Sequence, residues 1–264
     1  MLRIIAERLH QGYRTLAYPR VQPQMPPRFL GKPRIQADNC GACNICTAVC
    51  PTQALCLGEH GPTLDTGRCL FCGACRAICP RSNIHFTQEH RLARLTREEL
   101  LVRPQADPTA TPAPRLRAQE LFPEIAALYK KSLRLRQVSA GGCNACEADS
   151  NVLTTLVYDL GRFGIDFVAS PRHADGLAVT GPVTENMRQA LLDTYQALPD
   201  PRIIMAVGAC AISGGLFRDS PEAHQGLSTL FSPDDIHVYI PGCPPHPWTI
   251  LDGMLLMMGR EKTG

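Results

Sequence analysis

At the start of the chain, polar and apolar residues alternate with a helical period. At about 100° per residue, Leu2, Ile5, Ala6, Leu9, Tyr13 and Leu16 fall on one arc, and Arg3, Glu7, His10, Gln11 and Arg14 fall on the other. The first sixteen residues are therefore expected to form an amphipathic helix. Docking on its own domain or on a partner is the preferred reading over a helix lying at a membrane surface. A different pattern begins near residue 119. Apolar runs at 135–140, 165–170, 176–181, 202–208 and 237–242 read as strands. Helical-period stretches lie between and after them at about 147–160, 184–197 and 247–258. In the first of these, Val152, Leu153, Leu156 and Leu160 share helical spacing. Apolar strands alternating with helices imply an α/β unit built on a parallel, doubly wound sheet.

Between these patterns the texture is irregular. Residues 19–33 are proline-rich and extended, 40–80 are dense in cysteine, and 103–114 have the Pro, Ala and Thr content of a linker. The expected division is an N-terminal helix and arm at 1–30, a cysteine-rich domain at 31–100, a linker at 101–118 and the α/β domain at 119–264.

Charge changes this picture little. A net of +3, without a dense Lys/Arg run, gives no reason to expect nucleic acid. No apolar run approaches the roughly 18–20 residues of a membrane span. Charges interrupt the first residues before a signal-peptide core develops, so the chain is expected to stay in a reducing cytoplasm. There, thirteen cysteines point to metal or redox chemistry more than to structural disulfides.

Eight of the cysteines form two copies of one motif. "CGACNICTAVCP" (40–51) and "CLFCGACRAICP" (69–80) each read C-x2-C-x2-C-x3-C-P, the ligand run of two-cluster ferredoxins. Three cysteines within seven residues wrap one cubane, and the fourth, before proline, reaches the other. Cys40, Cys43, Cys46 and Cys79 are thus expected to hold one [4Fe–4S] cluster, and Cys50, Cys69, Cys72 and Cys75 a second. Zinc ribbons pair two C-x2-C knuckles and fit this run badly. Cys56 lies outside the pattern and is expected to be a small buried hydrophobe.

Past the linker, Cys143, Cys146, Cys210 and Cys243 remain. Each follows the carboxyl end of an expected strand, the edge where doubly wound folds bind ligands. Glycines at 141, 142, 208, 214, 215 and 242 allow close backbone approach to something bulky. Converging there, the four thiols would form a third tetrathiolate site, either another cluster or a structural zinc.

The string "GGCNAC…SPRHADGLAVTG…GACAISGGLF…VYIPGCPP" resembles the electron-transfer small subunit of group 4, membrane-bound [NiFe] hydrogenases. That family is homologous to the cluster-bearing subunit of respiratory complex I. Residues 28–95 resemble the two-cluster ferredoxin subunit of formate hydrogenlyase and related complexes, so the chain looks like two neighbouring subunits fused. The resemblance implies a ferredoxin-like α+β domain followed by a flavodoxin-like domain, three [4Fe–4S] clusters, and Cys143, Cys146, Cys210 and Cys243 as ligands of the third. Complex I members have adjacent cysteines where this chain has Cys143-x-x-Cys146, which favours a [NiFe] large subunit as partner.

The same resemblance implies a relay with no catalytic residue of its own, peripheral on the cytoplasmic side of the cell membrane. Its partners would be the [NiFe] large subunit, antiporter-like subunits of a membrane arm, and a ferredoxin, formate dehydrogenase or CO dehydrogenase-type donor. The alternatives are the same relay in a complex lacking NiFe, a free-standing ferredoxin-type carrier, and a zinc-stabilised scaffold. Glu147 is a candidate for proton relay or for capping its helix. Arg172 and His173 are candidates for cluster or partner contacts, with loop packing the plainer reading. His246 is expected at the surface or an interface, and Trp248 against the final helix. "GACAISGG" follows neither the phosphate-loop nor the dinucleotide fingerprint.

Overall fold

The computed structural model describes residues 2–12, 15–36, 40, 43–58, 61–104 and 114–260. In chain order its helices and strands are α1 (Leu2–Gln11), β1 (Pro33–Ile35), α2 (Ile45–Ala48), β2 (Leu55–Gly58), β3 (Gly61–Asp65), α3 (Ala74–Ile78), β4 (Ile84–Phe86), β5 (Leu101–Val102), α4 (Ala118–Leu121), α5 (Pro123–Leu128), β6 (Leu133–Ser139), α6 (Ala145–Val152), β7 (Ile165–Phe167), β8 (Gly176–Thr180), α7 (Glu185–Gln196), β9 (Ile203–Val207), α8 (Ala209–Ser213), β10 (Val238–Ile240) and α9 (Pro247–Met257).

The C-terminal half is built on a five-stranded, wholly parallel sheet with order β10-β9-β8-β6-β7. Counted within the sheet this is 2-1-3-4-5, the flavodoxin-like order. The register is tight: Val138 faces Val179, Val179 faces Ala206, and Ala206 faces Tyr239. Every residue of β8 and β9 is buried, as expected for central parallel strands covered on both faces. One face packs on α9, whose residues are all buried, including Thr249 and Asp252. The other packs around Leu191, Ile212 and Leu227.

The strand expectations hold within three residues, the largest difference being at β7, which ends at Phe167. The helix expected over 147–160 does not. It ends at Val152, and the chain returns through turns to a 3-10 turn at Leu160–Phe163. The Thr154 and Thr155 hydroxyls donate to Asn151 O (2.9 Å) and Val152 O (2.8 Å). Such local bonds compete with helix continuation. Of the four apolar positions in that stretch, Leu153 and Leu160 are buried while Leu156 stays 72% exposed.

The cysteine-rich half is smaller. An antiparallel sheet β2-β3-β5 and the pair β1-β4 flank α2 and α3. The expectation that Cys56 is buried is wrong. It sits on the edge strand β2, where Leu55 turns inward and Cys56 turns outward. β5 lies inside the stretch expected as linker and pairs with β3. Residues 105–113 of that stretch lie outside the described residues. Just beyond them Arg115 pairs with Asp252, and the Leu116 N–H donates to Glu99 Oε1 (3.0 Å).

The halves share core. Ala93 and Leu95 pack with α9, Leu100 packs with Ile212, and Arg94 bridges to Tyr239 of β10. Tyr18 of the arm is buried against Trp248 (ring centroids 5.0 Å apart). The amphipathic helix α1 is shorter than expected and is not docked on its own domain, since none of its residues is buried.

Candidate metal centre: three sets of four thiols

One local device recurs in all three places. In Cys43-Asn44-Ile45-Cys46, Cys72-Gly73-Ala74-Cys75 and Cys143-Asn144-Ala145-Cys146, the residue after the first cysteine is left-handed. Its φ is 58° at Asn44, 75° at Gly73 and 69° at Asn144, and a helix starts at the next residue. Glycine and asparagine are the residues that take this conformation at least cost. The turn sets both cysteines at a helix N-terminus, where free N–H groups favour negative sulfur.

In the cysteine-rich half, Cys50, Cys69, Cys72 and Cys75 line one empty space of about 330 Å³, walled by Leu55, Leu64 and Phe86. Burial pushes the Cys69 thiol up to about 12 against the opposing Phe71 N–H, and Cys75, Cys50 and Cys72 raise it further. Burial likewise takes Cys75 up to about 11, with Cys50 and Cys72 adding to it. Cys46 is raised by burial and then by Cys40, Cys43 and Cys79, so these four also sit together. Residues 41–42 between them lie outside the described residues. Backbone N–H groups of Ala54, Phe71 and Asn83 donate to the sulfurs of Cys50 (3.2 Å), Cys69 (3.3 Å) and Cys79 (3.4 Å). Bonds of this kind stabilise thiolates and tune metal potentials.

In the sheet half, the four remaining ligand candidates come from three strand ends. Cys143 and Cys146 follow β6, Cys210 opens α8 after β9, and Cys243 follows β10. They line one empty space of about 310 Å³ with Gly142, Gly181 and Gly242. Burial and then Glu147, Cys210, Cys243 and Cys143 raise Cys146, and burial with Cys243 and Cys143 takes Cys210 up to about 11. The glycines are required here. A Cβ at Gly208 would lie 2.7 Å from Cys146 Sγ, and one at Gly215 would lie 2.8 Å from Cys210 Sγ.

The donor sets are chemically suited to iron–sulfur centres: each is four cysteines, and the two C-x2-C-x2-C-x3-C-P runs carry the ligand spacing of two-cluster ferredoxins. Among the described residues, no three Cys, His, Asp or Glu side chains are placed as ligands of a single ion.

Glu147 is buried, and its carboxylate accepts from Thr180 Oγ1 (2.5 Å) and from Ser139. Burial raises its pKa, but these donors outweigh it and hold the carboxyl below its ordinary value. The side chain thus ties α6 to β6 and β8. Neither Arg172 nor His173 lines the cavity; both are on the turn before β8, away from the thiols. His246 caps α9, its Nδ1 accepting from the Trp248 N–H (3.2 Å). Trp248, expected against the final helix, lies within α9 and packs on Tyr18 and Tyr158.

Sequence reasoning missed the seam between the second and third sites. Ser213 Oγ donates to Gly67 O (3.0 Å), and a Cβ at Gly67 would fall 2.8 Å from Ile212 Cγ2. Leu70 and Phe71 face Cys243, Pro244 and His246 across one cleft. No sequence signal links positions so far apart.

A family profile described as NADH ubiquinone oxidoreductase, 20 Kd subunit, matches residues 143–257. A probable membrane-bound hydrogenase subunit of Pyrococcus furiosus is 38% identical over 146 residues, covering 55% of this chain and 86% of that protein. Formate hydrogenlyase subunit 7 of Escherichia coli is 40% identical over 156 residues, covering 58% of this chain and 60% of that protein. An NADH-quinone oxidoreductase subunit of Citrifermentans bemidjiense is 40% identical over 119 residues, covering 45% of this chain and 68% of that protein. The matched stretch begins at Cys143 and spans all four thiols at the sheet edge. In sheet order, in the thiols at its edge and in sequence, the chain belongs to the NADH ubiquinone oxidoreductase, 20 Kd subunit family.

Proposed function

We propose that this chain is the electron-relay subunit of a membrane-bound [NiFe] hydrogenase complex of the formate hydrogenlyase type. One observation carries the reading: eight of its cysteines line two hollows, four to each, with Cys50, Cys69, Cys72 and Cys75 at one and Cys143, Cys146, Cys210 and Cys243 at the other. When bound, three [4Fe–4S] clusters would supply sites that take and give single electrons. Cys40, Cys43, Cys46 and Cys79 hold the first; Cys50, Cys69, Cys72 and Cys75 the second; Cys143, Cys146, Cys210 and Cys243 the third.

The chain's own residues order these sites. Ser213 and Gly67 clamp the α8 turn to the segment leading into Cys69, so the second site lies next to the third. Leu70, Phe71 and Pro244 line the open cleft between them. Cys143 and Cys243 are exposed, as are Leu216 and Phe217 just after α8, which leaves the third site facing outward. The catalytic partner, a [NiFe] large subunit, docks on that face, and the electron donor approaches the first site. Glu147 holds the third site's helix in place and carries no proton in this reading. The complex sits on the cytoplasmic side of the membrane against a membrane arm of antiporter-like subunits. Among the described residues no helix is long and apolar enough to cross a bilayer.

The second reading, a complex I-like relay whose partner lacks NiFe, draws on the similarity to the quinone oxidoreductase subunit. The two residues between Cys143 and Cys146 favour the hydrogenase. Two C-x-x-C pairs in the co-purified partner support it, and their absence sinks it. Anaerobic metal analysis tests the relay itself. About twelve irons per chain are expected from three cubanes; about eight with one zinc rejects the third.

A further inference from the structure

The N-terminal helix has no place in the relay, yet its surface is unusual. Leu2, Ile5 and Leu9 are 84%, 56% and 79% exposed on one face of a ten-residue helix with no buried residue. A free apolar face of this size is costly in water and implies something that covers it. The arm's charge indicates what. Residues 1–30 carry five arginines (Arg3, Arg8, Arg14, Arg20 and Arg28) and one acid, Glu7. The other 234 residues carry 22 basic and 23 acidic side chains, so the chain's whole positive excess lies in this arm. An amphipathic helix with arginine on its polar side suits an anionic bilayer surface, where apolar residues enter the headgroup boundary and cations meet lipid phosphates.

The helix is also tethered at a definite place. The Leu16 N–H donates to Val157 O (3.3 Å), and Tyr18 is anchored on Trp248. Val152, Leu156 and Val157 are 36%, 72% and 47% exposed beside that anchor. The arm that follows α1 is therefore held against the loop that follows the third site's α6.

We infer that α1 is a membrane-surface anchor for anionic lipid, holding the side of the chain nearest the third thiol site against the bilayer. This rests on the peripheral-membrane part of the function proposed above, but its test does not depend on electron transfer. Full-length, cluster-loaded protein is floated with phosphatidylcholine vesicles that contain phosphatidylglycerol, and separately with phosphatidylcholine alone. Wild-type protein is expected to bind the anionic vesicles, weakly at high salt. Ile5→Glu with Leu9→Glu is expected to reduce binding at least about tenfold, and Arg3→Gln about fivefold. These positions are exposed, so iron content and melting temperature should match wild type. Lost iron would therefore be a failure of the relay reading and not of this one. Equal binding of wild type and the double variant overturns the proposal, as does equal binding to neutral vesicles. Loss of co-purifying subunits in lipid-free detergent, with vesicle binding unchanged, also overturns it by assigning the helix to a protein partner.

Discussion

The cysteine-rich half and the sheet half both gather thiols, but they do so by opposite routes. In the first, each C-x2-C-x2-C run supplies three thiols from seven residues, and a short helix orients them. The tertiary fold has only to bring Cys50 to one set and Cys79 to the other. In the second, one C-x-x-C turn supplies two thiols, and Cys210 and Cys243 come from the ends of β9 and β10. Local geometry therefore nearly completes the first two sites, whereas a parallel sheet must be fully formed before the third exists.

This contrast can be broken most sharply by removing a ligand from each half. Cys210→Ala should abolish the third cluster's EPR signal and lower iron from about twelve to about eight per chain, while both ferredoxin-type signals stay reducible. Cys72→Ala should do the converse. If either variant loses all three signals, the two halves do not hold their clusters independently. Next in size is the ion pair that ties Arg115 to α9. Arg115→Met leaves Asp252, whose side chain is 2% exposed, without its cationic partner and with the Tyr18 hydroxyl at 3.4 Å. Breaking such a pair costs about 3 kcal/mol, read by chemical denaturation.

A smaller effect probes the space itself. Gly208→Ala forces a Cβ to 2.7 Å from Cys146 Sγ at a φ of 90°, and should cost about 2 kcal/mol and deplete iron in the third site alone. Substituting the shared turn should affect all three sites alike. Asn144→Val and Asn44→Val each put a β-branched residue into a left-handed position and should cost about 1–2 kcal/mol. Asn144→Gly should be near neutral, and unequal outcomes for Asn44 and Asn144 would show that the turns are not equivalent.

The smallest effect is a pH response. Burial lowers the pKa of His90, against the raising influence of Asp252 and Glu89, while Arg91 and Arg115 lower it further. Its ring also contacts the Tyr18 hydroxyl (3.4 Å). A histidine kept neutral by the fold gives full stability above its ordinary value of 6.5. That stability falls as pH drops below 6.5, because the unfolded chain takes up the proton first. His237 and His246 are lowered by burial in the same sense. The melting temperature should therefore drop between about pH 7.5 and pH 5.5, and His90→Asn should shrink the drop. An unchanged slope would place the response elsewhere.

What was legible in the sequence follows the same divide. The two cysteine runs were legible as one repeated C-x2-C-x2-C-x3-C-P spacing, because that spacing is local. All five parallel strands could be found from their apolar runs, and the convergence of Cys143, Cys146, Cys210 and Cys243 followed from strand ends sharing one edge. Periodicity failed at 153–160, where Leu156 mimics a helical stripe but threonine hydroxyls turn the chain. It failed again at Cys56, because alternation on an edge strand fixes a face without saying which face is covered.

By itself, then, the sequence determined the repeated cysteine spacing and the α/β alternation. Tertiary structure alone decided that Glu147 is an anchor held by Thr180 and Ser139, that Ser213 clamps Gly67 between neighbouring sites, and that α1 stands clear of the body. The reason is physical. Local conformation depends on residues a few positions apart, whereas burial and hydrogen-bond partners depend on surfaces that meet only after the sheet has closed its register.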